Sequence, residues 1–322
     1  MEILLERAEA LRAKGRLAQA AAAYERMLEN RGASPRDKLK AHIALAALDR
    51  SLGFAARSRG HILAGLRLAR RLEATEDIEL LRLEQAMLLR AEGRYAESLD
   101  QLGRFLDLFR RRGDWEGAGF VLWAMGGALR FSGNLEGSQR AFLRSIEAFR
   151  RARDSSGSRY AVLGLAGLKR IRGDVEGSRR LYAGALGKAR SDGDLFGLAY
   201  AHCGLANALR QLGRMSEARS HYRSSGRLYR RLGDAVDGAY VDWGMGQVEW
   251  RSGRPARAGR LFARALAAFK GARETRGEVL ALMALASIRY LNGHRPEGIA
   301  LYERAARAAR KAGILTPLEF FT

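Results

Sequence analysis

The sequence predicts an all-α solenoid of about eight helix-turn-helix units. Three observations predict it. Glycine recurs at a step of 40, at Gly53, Gly93, Gly133, Gly173, Gly213, Gly253 and Gly293, with Gly15 placed 38 residues before the first of these. Only Pro35, Pro255, Pro296 and Pro317 interrupt the 322 residues, which favours long helices. The apolar fraction of 47% is enough for a sizeable core and argues against disorder. A period this regular marks stacked supersecondary units, each burying its apolar face only against its neighbours.

With the recurrent glycine at position 20 of a 40-residue frame, seven units follow: 34–73, 74–113, 114–153, 154–193, 194–233, 234–273 and 274–313. A truncated first unit occupies 1–33, so residues 1–313 form one solenoid and 314–322 a C-terminal tail. Asp114, Asp154, Asp194, Asp234 and Glu274 open five of the seven frames, where a carboxylate caps the first helix and meets its positive end. That helix stops at the frame glycine, which tolerates the left-handed conformation. A second helix follows, with Pro255 and Pro296 in its first turn, where the missing N–H costs nothing. It ends at Gly113, Gly193, Gly233 or Gly313. Each unit is therefore two antiparallel helices of roughly 15–18 residues, about 25 Å long.

The columns of the frame carry packing signals. Leu45, Met125, Leu165, Leu205, Met245 and Leu285 share one position of the first helix, with Gln85 the exception. Ala46, Ala86, Gly126, Ala166, Ala206, Gly246 and Ala286 come one residue later and let helices approach closely. On the second helix Ser58, Ser98, Ser138, Ser178, Ala218, Ala258 and Gly298 play the same part. Four residues on, Ile62, Leu102, Phe142, Tyr182, Tyr222, Phe262 and Tyr302 supply the large side chain that fills the space.

A leucine, a small residue, the turn glycine, then a small residue, an aromatic and an alanine resemble the tetratricopeptide repeat. The segment "AHCGLANALRQLGRMSEARSHY" at 201–222 shows it well, and Ala185, Ala265 and Ala305 complete it. The units here are longer than the familiar repeat and close with a glycine-acid pair, as in "YRRLGD" at 229–234. The resemblance is to a long variant found in peptide-binding adaptors and regulators. It implies a right-handed superhelix whose concave groove is lined by the first helices.

The formal net charge is +22, from 57 basic and 35 acidic residues, and only seven of the basic ones are Lys. Guanidinium suits bidentate pairing with carboxylate or phosphate. A GC-rich genome explains such a bias as readily as a binding surface does, so position has to separate the two. Frame positions 7, 10, 14 and 17 fall on one stripe of the first helix and mark the groove. They place Phe120, Tyr160, Tyr200 and Tyr240, then Trp123 and Trp243, then Asn207 and Gln247. Position 17 holds Arg50, Arg90, Arg130, Arg170 and Arg210, then Trp250 and Tyr290. This arginine ladder beside an aromatic floor suits an extended acidic segment of a partner protein, with acids read early and an apolar anchor late. Two competing readings stand beside it. Cations in the last turn stabilise a helix end without any partner, and the aromatic stripe can be inter-repeat core.

A second basic column, Arg70, Arg110, Arg150, Arg190, Arg230, Lys270 and Arg310, ends the other helix and reads as solvated and structural. Capture of a C-terminal carboxylate by Lys and Asn, a ligand mode the resemblance brings with it, is unsupported, since Lys40 and Asn207 lie in distant frames. No catalytic constellation, metal site or cofactor motif is expected. His42 with His61, and His202 with His221 beside the single Cys203, read as histidines at helix boundaries. No signal-like opening and no apolar run of 18 residues occurs, which predicts a cytoplasmic protein. The tail "GILTPLEFFT" at 313–322 is expected to fold over the last unit or to dock on a second chain. The leading expectation is a non-enzymatic protein-protein interaction scaffold. A nucleic-acid-binding solenoid and a dedicated structural subunit of a bacterial multiprotein complex are the alternatives.

Overall fold

The computed structural model describes residues 2–13 and 15–312; the expected tail contacts lie outside the described residues. Sixteen α-helices and no strand occur among them. The first four are α1 (Glu2–Ala13), α2 (Leu17–Glu29), α3 (Pro35–Ser51) and α4 (Ala55–Arg71). Next come α5 (Thr75–Ala91), α6 (Tyr95–Arg111), α7 (Trp115–Phe131) and α8 (Leu135–Arg151). They are followed by α9 (Ser155–Ile171), α10 (Val175–Ser191), α11 (Leu195–Gln211) and α12 (Met215–Leu232). The last are α13 (Ala235–Arg251), α14 (Pro255–Ala272), α15 (Thr275–Leu291) and α16 (Arg295–Lys311). Consecutive helices pack pairwise from α1 to α5, from α7 to α11 and from α13 to α16, as in a solenoid.

The helix boundaries follow from local chemistry. Asp114, Asp154 and Asp194 accept the N–H groups of Gly117, Gly157 and Gly197 at 2.8, 2.9 and 2.8 Å, and Glu274 does the same for Gly277. Ser34 caps α3 reciprocally with Asp37. Asn134 and Asp174 cap second helices in the same way, a role the frame analysis did not foresee. The frame glycines take the left-handed conformation, from φ 68° at Gly15 to φ 91° at Gly293. Glu73, Arg153 and Arg273 adopt it too, at φ 53°, 58° and 56°. There the closure between repeats overrides a local preference worth roughly 1–2 kcal/mol.

The helices cluster into two compact units. One is Met1–Phe105 with Arg231–Asp234; the other is Leu106–Arg230 with Ala235–Thr322. In the first, Leu39, Ala46, Ile62, Leu66, Leu81 and Leu88 form one core cluster, and Tyr24, Met27, Leu45 and Leu48 belong to another. Ser58 and Ser98 donate to the carbonyls of Ala46 and Ala86, both at 2.8 Å, so the small columns are joined by hydrogen bonds as well as by contact.

The second unit repeats the device with aromatic side chains. Phe142 lies against Gly126 of its own repeat, where an added Cβ would come within 2.8 Å of the ring, and against Gly164 of the next, within 2.3 Å. Tyr182 and Tyr222 occupy the same place against Gly204 and Gly244. The small residue on the following repeat, two positions before the column read from the sequence, is thus the second half of each socket. Ser138 donates to the Gly126 carbonyl at 2.7 Å, whereas the buried Ser178 hydroxyl has no hydrogen-bond partner.

Candidate functional site

The first helices of the second unit carry a mixed aromatic and cationic face. On α9, the Tyr160 hydroxyl donates to the Asp194 carboxylate at 2.9 Å. Asp194 also caps α11 and receives Arg159 at 2.8 Å, whose side chain is almost fully buried and also engages Asp192. Burial, then the charge of Asp194, pushes the Tyr160 phenol well above its ordinary value. Phe196 bridges Tyr160 and Tyr200, with ring centroids 6.2 and 6.3 Å away, and meets Tyr229 edge-on at 6.1 Å. Phe196 was missed in the sequence because it lies at frame position 3, one turn before the first position of the stripe. Its place one turn before Tyr200 was the available signal. On α7, Phe120 and Trp123 lie 5.7 Å apart.

The arginine column divides by environment. In the first unit Arg50 is taken by Glu84 at 2.9 Å, and Arg90 is half-buried. In the second, Arg130 and Arg170 are half-buried on α7 and α9. The Arg130 Nε is buried with no hydrogen-bond partner, and its guanidinium sits 4.5 Å from the Phe131 ring and beside Gly167. Arg210 is only 1% exposed and lies 5.8 Å from the ring of Trp243. Trp243 is itself core, 7% exposed, and donates its Nε1–H to the Leu280 carbonyl at 3.3 Å. Asn207 accepts the Tyr222 hydroxyl at 2.6 Å. Gln247 is half-buried, and Trp250 packs against the cluster containing Trp243 and Phe262. Tyr240 lies tilted against Phe269, with ring centroids 4.7 Å apart, and receives Arg276 at 5.2 Å; Arg276 also covers Phe131 at 4.4 Å. Tyr290 is exposed, under Arg295 at 5.7 Å.

The second basic column, from Arg70 to Arg310, is exposed in the last turns of the second helices. Both histidine pairs meet across their helix boundaries, with Nδ1–Nδ1 distances of 3.0 Å for His42–His61 and 2.8 Å for His202–His221. Burial, then the partner ring and nearby arginines, lowers His42 and His202 to about 4, so both are neutral at pH 7. Burial, helped by Asp237, pushes the Cys203 thiol up to about 12 against the pull of Arg170 and Arg210. A neutral thiol is a poor nucleophile and metal ligand. Among the described residues no group of three or more His, Cys, Asp or Glu could hold a metal ion, and no helix is long and apolar enough to cross a membrane.

Paired helices, caps and glycine stops in this order define an α-helical repeat protein. A tetratricopeptide-repeat family profile matches residues 1–37 and 244–312. The chain is similar in structure to the Rap conjugation gene regulator of the plasmid pLS20, solved with the Phr* peptide. The TM-score is 0.70 at 12% identity, over 98% of this chain and 96% of that one. A Rap protein complexed with Competence and Sporulation Factor gives 0.64 at 14% identity, over 86% and 78%. BtubC (BKLC) from P. vanneervenii gives 0.53 at 17%, over 69% and 94%. At these identities the likeness concerns the fold. No curated protein matches the sequence.

Proposed function

We propose that the protein is a non-enzymatic scaffold that binds an extended, acidic segment of a partner protein along the first helices of its second unit. The observation that carries this reading is the guanidinium column on α7 and α9. Arg130 and Arg170 stand one repeat apart at the ends of α7 and α9, whose helices also carry Phe120, Trp123 and Tyr160; the Arg130 guanidinium lies over the Phe131 ring, and its Nε is buried without a hydrogen-bond partner. A half-buried guanidinium over an aromatic ring favours a carboxylate more than a fully exposed one does. Peptide capture by similar folds supports the same reading, since one of the similar structures holds the Phr* peptide. Arg210 and Trp243 act in this scheme as the packed support beneath the face. Reading an acidic segment in this way is a positioning task and needs no cofactor.

The test is capture of partners from the native host by purified protein, with the bound segment mapped by cross-linking. The Arg130→Glu/Arg170→Glu variant should lose that segment while its helical circular dichroism is unchanged. A segment captured equally well by the variant, or one mapped away from α7 and α9, refutes the proposal.

A further inference from the structure

Outside that face, the second unit carries an arginine cleft between α12 and α14. Two adjoining cavities of about 380 and 270 Å³ share Arg223, Met245, Leu261 and Arg264. Arg219, Arg223, Arg227 and Arg230 line the cleft from α12, and Arg257, Arg260 and Arg264 from α14. The acids among the lining residues are Glu249 and Asp242. Glu249 holds Arg219 at 2.9 Å and Arg254 at 2.5 Å, and Asp242 holds Arg264 at 2.5 Å. Arg223, Arg257 and Arg260 are exposed and form no ion pair among the described residues. Like charges this close repel, so the cleft gains from an anionic occupant.

Spacing and wall chemistry specify that occupant. Arg223 and Arg227 stand four residues apart on α12, about 6 Å along the axis, and Arg257 and Arg260 three apart on α14, about 4.5 Å. Alternate residues of an extended peptide stand about 6.6 Å apart on one side. Between the arginine rows lie aliphatic side chains, Met245, Leu261 and Val241. Tyr222, the aromatic residue among the lining, is fully buried with its hydroxyl on Asn207, so no ring is offered for base stacking. We propose that this cleft binds an extended acidic protein segment in which Glu or Asp alternates with aliphatic residues. The acids pair with Arg223, Arg257 and Arg260, and the aliphatic side chains rest on Met245 and Leu261.

Fluorescence anisotropy with the full chain tests this, using a labelled decapeptide of alternating Glu and Leu. Its controls are the Gln/Leu counterpart and a labelled ten-nucleotide oligothymidylate. The Glu/Leu peptide should bind at about 50 mM salt and weaken towards about 300 mM. Arg223→Glu/Arg257→Glu/Arg260→Glu should weaken it at least tenfold with circular dichroism unchanged, and Arg223→Gln alone should weaken it severalfold. Arg130→Glu/Arg170→Glu should leave it intact, which separates this site from the first-helix face. Equal binding of the Gln/Leu peptide, or retention by the triple variant, overturns the proposal. Tighter oligothymidylate binding lost in the triple variant overturns it too, by assigning the cleft to nucleic acid.

Discussion

Asp194 joins two repeats through one carboxylate, and replacing it separates the roles it combines. Its oxygens accept the Gly197 N–H at 2.8 Å, the Tyr160 hydroxyl at 2.9 Å and the Arg159 guanidinium at 2.8 Å. Asp194→Asn keeps an acceptor for the cap, as Asn134 shows by accepting the Gly137 N–H at 2.8 Å. What it loses is the charge opposite Arg159, which is 4% exposed and retains Asp192. A hydrogen bond to a charged group contributes about 1.5–3 kcal/mol, so Asn should cost about 2 kcal/mol. Asp194→Ala also removes the cap, about 1 kcal/mol, and the Tyr160 bond, about 1 kcal/mol, for roughly 4 kcal/mol in all. At about 2–4 °C per kcal/mol, melting points should fall by about 6 °C and about 12 °C. Thermal melts by circular dichroism give the size, and hydrogen exchange places the loss on α9 and α11. Equal destabilisation by Asn and Ala would show that the cap and the Tyr160 bond contribute nothing, and an Asn variant as stable as wild type would show that Arg159 draws nothing from Asp194. No change in either variant would refute the whole account of the joint.

Two further outcomes are expected. Gly204→Ala places a Cβ 2.1 Å from the buried Tyr182 ring and should lower the urea midpoint by the equivalent of about 1–3 kcal/mol, whereas Gly184→Ala, with nothing within 4 Å, should raise it by about 1 kcal/mol. Midpoints moving together would contradict the socket. The histidine pairs make stability depend on pH. His42 and His202 titrate near 4 when folded, and an unfolded His takes its proton near 6.5, so stability is full above about 6.5 and is lost as pH falls towards 4. Asp49 opposes this shift at His61, as does Glu217 at His221, while Arg67, Arg57, Arg190 and Arg227 near the pairs reinforce it. Solvent at these half-buried rings limits the effect to about 1 kcal/mol per pair. Urea titrations of wild type against His42→Gln/His202→Gln across pH 4–7 check it: the difference should vanish if the pairs play no part.

Much of the repeat was legible because each signal is local. A glycine at φ > 0, an acid three residues before a glycine N–H, and Pro at the first turn act within a few residues of themselves. What escaped was written between repeats. Arg50–Glu84, Arg59–Glu92, Arg159–Asp192 and Tyr160–Asp194 each join residues nearly one frame apart. A column read downwards shows charge accumulating, while these pairs neutralise it sideways. Arg210 shows the same limit, since its column predicted a last-turn cation, whereas the neighbouring repeat brings Trp243 near it and it is buried. The arginines of α12 and α14 were visible as basic residues, but nothing in one helix tells which helix lies beside it.

The contact of Arg276 with Phe131 and Tyr240 has a consequence for how the second unit unfolds. A row of repeats touching only its neighbours can lose them one at a time from either end, and its cooperativity decays with distance. Arg276 on α15 reaches Phe131 on α7, four repeats back, and so gives two distant members of the row a common fate. Fraying of α15 exposes the Phe131 ring, and melting of α7 strips the cation of one of its two aromatic faces. A tie of even about 1 kcal/mol shifts such an equilibrium about fivefold. The second unit is thereby bound to behave less like a chain of links and more like a closed loop with a clasp.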